Sequence, residues 1–196
     1  MANRYSLLLI CLLLTACIHK NKSHIALKGV QIKILPLGRV KDIQIKETYE
    51  VLKDISPTTE VLPAQDMPAF TYFEPRNRNR ADSLIKWMSH MAKPGEIYVG
   101  ITMQDISASE GKHEDYGIMG LGYCPGNACV VSSYRLKNKK NFTKLVVHEL
   151  GHNMGLPHCP VSNCYMRDAK GGDPTDQETG FCKKCSAFLL KRNMRF

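Results

Sequence analysis

The chain has 196 residues and a formal net charge of +9, from 27 lysines and arginines against 18 aspartates and glutamates. Its length suits a single domain around one buried core, and no internal repeat or low-complexity segment divides it. The basic residues are scattered instead of being interleaved with aromatic residues on one face, which argues against nucleic-acid binding. They suit solvated surfaces and attraction to anionic lipid headgroups, and they include Lys20, Lys22, Lys28, Arg76, Arg78, Arg80, Lys137, Lys139 and Lys140.

The N-terminal segment has the pattern of a secretory signal. Arg4 precedes an apolar run over residues 7–14, which is too short to cross about 30 Å of hydrocarbon. The run ends in L-T-A-C at residues 14–17, a pattern typical of the bacterial lipobox, in which the cysteine is acylated and becomes the mature N-terminus. We therefore predict a signal peptide over residues 1–16, a lipid anchor at Cys17, and a location in the cell envelope, on the periplasmic or extracellular face of a bacterial membrane. An ordinary cleaved signal peptide is the alternative.

A polar tether over residues 17–28 is predicted to lead into a single domain over residues 29–196. The domain begins with residues 30–34, where valine and isoleucine alternate with glutamine and lysine, which predicts a half-buried strand. Apolar residues among charged ones predict a helix over residues 40–55. The prolines that follow predict a long irregular connection over residues 57–75.

The middle of the chain predicts one helix and three strands. Residues 80–91 carry a broad apolar face and predict a helix that packs against the core. A strand is predicted over residues 96–103, after Pro-Gly. Two further strands over residues 117–123 and 129–134 flank a loop that contains Pro-Gly-Asn, which predicts a β-hairpin.

The next predicted helix contains the residues that indicate function most clearly. It is predicted over residues 142–154, with Asn141 as its N-cap, and it contains the sequence H-E-L-G-H. Residues four apart on a helix share one face, so His148 and His152 can bind the same metal ion. Glu149, one step round the helix, can reach a water molecule that the metal activates. These spacings predict a catalytic zinc site.

The residues after this helix supply a third candidate ligand. Gly155 tolerates the left-handed turn that ends helices, and Pro157 prevents the helix from continuing. The returning chain then brings His158 under the metal, completing the pattern H-E-x-x-H-x-x-G-x-x-H, which is the metzincin signature. The alternative is an ordinary helix with three packed histidines, which requires the same coincidence three times.

Cysteines follow the histidine motif closely. A C-x4-C and a C-x2-C pair present thiolates that suit a closed tetrahedral structural zinc site, whereas an oxidising compartment would favour two disulfides; the residues are Cys159, Cys164, Cys182 and Cys185. Cys124 and Cys129 lie near enough in sequence to form a disulfide across the hairpin loop. Residues 186–196 predict a C-terminal helix that packs against the core.

The pattern H-C-x4-C-x-M, followed by C-x2-C, resembles the archaemetzincins. The resemblance implies an α+β, metzincin-like fold with a twisted mixed β-sheet, an active-site helix and a small zinc-stabilised C-terminal subdomain. It implies that Met166 forms the Met-turn beneath the catalytic zinc. It also implies a catalytic zinc held by three histidines and a second, structural zinc held by the cysteines: His148, His152, His158, Cys159, Cys164, Cys182 and Cys185.

The activity that follows is that of a zinc metallopeptidase, a hydrolase of peptide or protein substrates, with zinc-activated water and Glu149 as the general base. We expect it to act as a monomer. In metzincins a sheet-edge strand lies along the cleft, which makes Gly120, Leu121 and Gly122 candidates for substrate binding. Tyr165 is either a donor to the oxyanion or a packed tyrosine. The alternative function is a catalytically silent, zinc-stabilised binding or envelope-scaffold lipoprotein.

Overall fold

The computed structural model describes residues 30–111 and 113–191. The predicted signal peptide, the anchor at Cys17 and the tether therefore lie outside the described residues. Within the described part of the chain, no helix is long and apolar enough to cross a membrane.

Nine strands and four helices make up the described chain. In chain order they are β1 (Gln31–Pro36), α1 (Asp42–Ile55), β2 (Glu60–Val61), β3 (Tyr72–Phe73), β4 (Arg78–Arg80), α2 (Ala81–Met91), β5 (Glu96–Thr102), β6 (Ile106–Glu110), β7 (His113–Ile118), β8 (Gly120–Gly122), β9 (Ala128–Ser132), α3 (Phe142–Asn153) and α4 (Lys183–Leu190).

A five-stranded sheet with the order β2-β1-β5-β9-β8 forms the centre of the fold. The first four strands are parallel, and β8 runs antiparallel to β9 at the edge. Parallel strands are usually covered by helices on both faces, and the burial follows that rule. On β1, Ile34 belongs to the core cluster that contains residues of α1 and α3, whereas its neighbour Leu35 belongs to the cluster that contains residues of α2.

A smaller sheet with the order β3-β4-β6-β7 lies beside the main one. Its strands have two to six residues, and an ion pair of 3.1 Å between Arg78 Nε and Asp105 Oδ2 ties β4 to the start of β6. The prediction of an irregular connection over residues 57–75 is wrong in part, because this stretch contains β2, β3 and a turn of 3-10 helix. Strands this short carry too few residues to show a period of two.

The mixed α+β fold is confirmed, and so are the main elements of the central sheet and its helices. Asn141 occupies the predicted N-cap position of α3, but the predicted capping hydrogen bond is wrong, since its side chain makes none. Its amide instead donates to Thr175 Oγ1 at 3.2 Å and to Asp176 Oδ1 at 2.6 Å. Asn141 therefore ties the start of α3 to a distant loop.

The predicted disulfide between Cys124 and Cys129 is wrong, because both thiols are free. Cys129 lies on β9 and is fully buried in the core between the sheet and α3. The Cys124 thiol instead lies 3.3 Å from the carbonyl oxygen of Leu156, to which it donates. The hairpin directs the two side chains to different neighbours.

The buried C-terminal part of β5 predicts a large loss of stability when one of its side chains is truncated. Ile101 is fully buried, so Ile101→Ala should lower the free energy of unfolding by about 2–5 kcal/mol through the cavity that it leaves. Ile43 on α1 is 54% exposed, so Ile43→Ala should change it by less than about 0.5 kcal/mol. Urea unfolding of both variants measures the difference, and equal effects would contradict the assigned core.

Candidate functional site

Three histidines converge at the C-terminal end of α3. Their ligand nitrogens all lie within 4.8 Å of one another. His148 and His152 come from successive turns of α3, and His158 arrives on the returning chain. Gly155 makes this return possible with a φ of +93°, a conformation that side chains other than glycine rarely adopt. The structure thus brings together the ligands that the spacing predicted.

Backbone carbonyls orient two of these imidazoles. His148 Nδ1 lies 2.5 Å from the carbonyl oxygen of Tyr165, and His152 Nδ1 lies 2.8 Å from that of Leu156. A carbonyl oxygen only accepts, so each Nδ1 carries the proton and each Nε2 keeps a free lone pair. The two Nε2 atoms lie 3.1 Å apart. Histidine ligands of zinc donate their second nitrogen in this way, so the residues present fit the metal.

The protonation state also suits metal binding. Burial, followed by the charge of His152, lowers the pKa of His148 to about 4. Burial likewise lowers the pKa of His152. Both rings are therefore neutral near pH 7, which is the form that binds a metal ion. The third ring, His158, has its Nδ1 3.9 Å from Oδ2 of Asp168, a partner that the sequence analysis missed.

The side chain of Glu149, a residue of α3, lies between this helix and the edge strand β8. It is only 5% exposed, and this burial raises its pKa to about 8. A Cβ atom added at Gly120 would lie 2.4 Å from Glu149 Oε1, and one added at Gly122 would lie 2.7 Å from the Glu149 carbonyl oxygen. Gly120 therefore leaves the space that the Glu149 carboxyl group occupies, and Gly122 leaves the space for its backbone carbonyl. Leu121 points the other way and packs with the core beside α2.

The structure places β8 where a cleft strand was predicted. It is the last strand of the central sheet, and its residues line a cleft of about 750 Å³ together with the three histidines and Glu149. The substrate-binding role of β8 stays a prediction. Its second role, leaving space for the Glu149 carboxyl, had no signal in the sequence beyond two glycines separated by one residue.

Met166 packs against α3 at Gly151, the residue before His152. It is fully buried, and a Cβ atom added at Gly151 would lie 2.5 Å from its sulfur. Its carbonyl oxygen accepts a hydrogen bond of 2.7 Å from the Cys159 amide. The neighbouring Tyr165 ring packs edge-on against Phe181, and the Tyr165 carbonyl oxygen accepts a hydrogen bond from His148.

A second cluster contains the four C-terminal cysteines, whose sulfur atoms all lie within 4.8 Å of one another. All four are free thiols, and the Cys159 and Cys182 sulfurs are 3.6 Å apart, far beyond a covalent S–S bond of about 2.05 Å. Tetrahedral zinc with Zn–S bonds of about 2.3 Å requires sulfur separations of about 3.8 Å. The cluster therefore fits a structural zinc ion better than two disulfides.

Comparison with known proteins agrees with this geometry. A family model described as peptidase family M54 matches residues 78–192. The archaemetzincin of Archaeoglobus fulgidus is 31% identical over 152 residues, which cover 71% of this chain and 89% of the relative. This chain belongs to the archaemetzincin family, peptidase family M54. The archaemetzincin of Halobacterium salinarum is 29% identical over 173 residues, which cover 80% of this chain and 97% of the relative.

Solved archaemetzincins share the fold. The crystal structure of the Archaeoglobus fulgidus protein complexed with malonate has a TM-score of 0.70 and 27% identity, with coverage of 82% of this chain and 100% of that one. The Methanopyrus kandleri structure has a TM-score of 0.69 and 26% identity, with coverage of 84% and 96%. The family makes this chain a metallopeptidase, and zinc is its expected metal.

One wall of the cleft in this archaemetzincin consists of residues 173–178. Besides Asn141, the Lys144 side chain fastens this wall to α3, because its ammonium donates to the carbonyl oxygens of Thr175 at 2.8 Å and Glu178 at 2.9 Å. The wall lies far from α3 in sequence and carries no motif. Sequence reasoning therefore missed it, together with the buried carboxyl group of Glu178.

The two clusters predict two zinc ions per chain, which can be removed one at a time. His152→Ala and Cys164→Ser should each lower the bound zinc from about two ions to about one, because each removes a ligand from a different cluster. Cys124→Ser is the matched control, since Cys124 lies outside the thiol cluster, and it should keep both ions. Elemental analysis of the purified chains gives the counts. A single zinc ion in the unchanged chain would contradict the assignment of one cluster.

Proposed function

We propose that this chain hydrolyses peptide bonds with Glu149 as the general base and three histidine ligands for the catalytic zinc. The observation that carries the proposal is the convergence of His148, His152 and His158 beside a buried carboxyl group at the edge of an open cleft. A second, structural zinc ion at the four cysteines completes the proposal.

The chemistry follows from the position of each group. When bound, zinc polarises the scissile carbonyl and lowers the pKa of a water molecule. In its ionised form, Glu149, next to His148 on α3, accepts the proton of the attacking water and later delivers it to the leaving amine. A cation bound at the adjacent histidines would favour this ionised form against the effect of burial. Its burial between α3 and β8 keeps bulk water from the carboxyl group, and the two glycines of β8 keep it within reach of the cleft.

The edge of β8 provides a way to hold the substrate. A strand at the end of a sheet presents unpaired backbone donors and acceptors, so an extended peptide can pair with it as an additional strand. Backbone pairing is independent of side chains. In this proposal, β8 aligns the peptide, and the surrounding walls of the cleft determine which side chains are accepted.

Removal of the base tests the mechanism. Glu149→Ala should lower kcat/KM on a mixed peptide library by about 10²–10⁴-fold, because the proton acceptor is lost. The zinc content should stay unchanged, since Glu149 is outside the predicted ligand set. Glu50→Ala, an exposed glutamate on α1, is the control and should keep the unchanged activity. Retained hydrolysis in Glu149→Ala would refute the role of the base, and a zinc-loaded wild type that cleaves no peptide would favour a binding or scaffold protein.

We also propose that the chain is anchored at the bacterial cell envelope through Cys17. The support is the order of a basic residue, a short apolar run and L-T-A-C in residues 4–17. Stable attachment requires two acyl chains or one chain with a second signal, and the basic residues near Cys17 attract anionic lipids.

Metabolic labelling with a clickable fatty acid tests the anchor. The full-length chain expressed in a bacterial host should become labelled, and Cys17→Ser should not, because the acceptor thiol is missing. Cys11→Ser, which lies inside the apolar run, is the control and should keep the label. An unlabelled wild-type chain would remove the anchor from the proposal.

A further inference from the structure

The cleft contains a buried carboxyl group that the proposed hydrolysis does not use. Glu178 is 3% exposed and lines the cleft together with Leu145, His148 and Glu149. Leu145 precedes His148 by three residues and Glu149 by four, so all three share one side of α3. Glu178 therefore lies on a wall that adjoins the groups assigned to the reaction.

The Glu178 carboxyl lacks a partner of its own. Among residues 30–111 and 113–191, no donor is hydrogen-bonded to it, and Lys144, the cation that influences it most, uses its ammonium on two backbone carbonyls. Burial, as the largest effect, raises the pKa of Glu178 to about 7. The carboxyl group lines the cleft, so a ligand that enters the cleft can reach it and supply the missing donor.

The wall holds Glu178 in place. Residues 175–178 are fastened to α3 by Lys144, which donates to two of their backbone carbonyl oxygens, and by Asn141, which donates to the side chains of Thr175 and Asp176. On the other side, Arg167 Nη1 donates to Gln177 Oε1 at 2.5 Å. The segment that carries Glu178 is thus held from both sides, which limits the positions that its side chain can take in the cleft.

The chemistry of the carboxyl determines what it accepts. An apolar side chain of the substrate would remove water from the Glu178 carboxyl without offering a hydrogen bond. An acidic side chain would place a second carboxyl group beside it. A long cationic side chain supplies both charge and N–H donors. Apart from Glu178, the charged side chains that line the cleft are nearly balanced, with four basic residues against three acidic ones: Arg135, Lys137, Arg167 and Lys170 against Glu149, Asp168 and Asp173. Arg135 is moreover paired with Asp105 through two hydrogen bonds of 2.7 Å.

We propose that Glu178 binds an arginine or lysine side chain of the substrate beside the cleaved bond, which makes this protein a peptidase selective for basic sites. This inference rests on the proposed hydrolytic function. Glu178 acts here as a specificity-determining residue and takes no part in the proton transfers of Glu149.

Matched fluorogenic peptides test the selectivity. The peptides are identical except for one residue, which is arginine, citrulline or norleucine, and the set is repeated at two positions on each side of the cleaved bond. Citrulline keeps the shape of arginine and removes its charge. At one position, kcat/KM for the arginine peptide should exceed that for the citrulline peptide by about tenfold or more, the ratio expected for a hydrogen bond to a charged group. Equal values at every position would overturn the proposal.

Two variants locate the effect. Glu178→Gln has the same shape without the charge and should bring the arginine-to-citrulline ratio close to one. Glu50→Gln, on the exposed surface of α1, is the matched control and should keep the wild-type ratio. An unchanged ratio in Glu178→Gln would overturn the assignment to this residue. If that variant does not fold, the ratio in the wild-type chain still decides the proposal.

A binding experiment separates this inference from the hydrolytic function. In the zinc-loaded Glu149→Gln protein, fluorescence anisotropy should show the labelled arginine peptide binding about tenfold or more tightly than the citrulline peptide. If the wild type cleaves no peptide but this difference holds, the hydrolytic function fails and the role of Glu178 stands. If peptides are cleaved but neither assay distinguishes arginine from citrulline, the hydrolytic function stands and the role of Glu178 fails.

Discussion

The reversal of the chain at Gly155 is the constraint on which both metal clusters depend. Helix α3 carries two histidines on its last two turns, and a straight continuation of the helix would take the third histidine away from them. The positive φ of Gly155 instead turns the chain back, and the Leu156 amide then donates to the Gly151 carbonyl oxygen at 2.9 Å. The returning segment places His158 at the first cluster and the adjacent Cys159 at the second.

The returning segment also orients the ligands that it does not carry. The carbonyl oxygen of Leu156 accepts a hydrogen bond from His152, and the carbonyl oxygen of Tyr165 accepts one from His148. Within residues 156–166, a hydrogen bond from the Cys159 amide to the Met166 carbonyl oxygen closes a loop. A metal ion held by the thiols would therefore stabilise the same loop that sets the directions of the imidazoles, so the C-terminal cluster supports the geometry of the histidine cluster.

The central sheet supplies the other half of the site. Its edge strand β8 approaches α3 so closely that only glycine fits opposite Glu149. This approach buries the carboxyl and raises its pKa, while the outer edge of the same strand stays available to a peptide. The wall formed by residues 173–178 then closes the cleft with a charged group of its own. In the proposed mechanism, the backbone of β8 aligns the substrate, Glu149 acts as the base, and the wall selects the side chain.

The sequence by itself determined the elements and groups that depend on local spacing. Residues four apart on a helix face the same way, so the histidine pair, the neighbouring Glu149 and the helix end at Gly155 were all predictable, as were the longer strands and helices. Only the tertiary structure decided which distant groups meet. The Asn141 amide, the Cys124 thiol and the Glu178 carboxyl each have surroundings set by segments 25 or more residues away. Contacts across such separations depend on how whole helices and strands pack, and this packing cannot be predicted from the spacing of neighbouring residues.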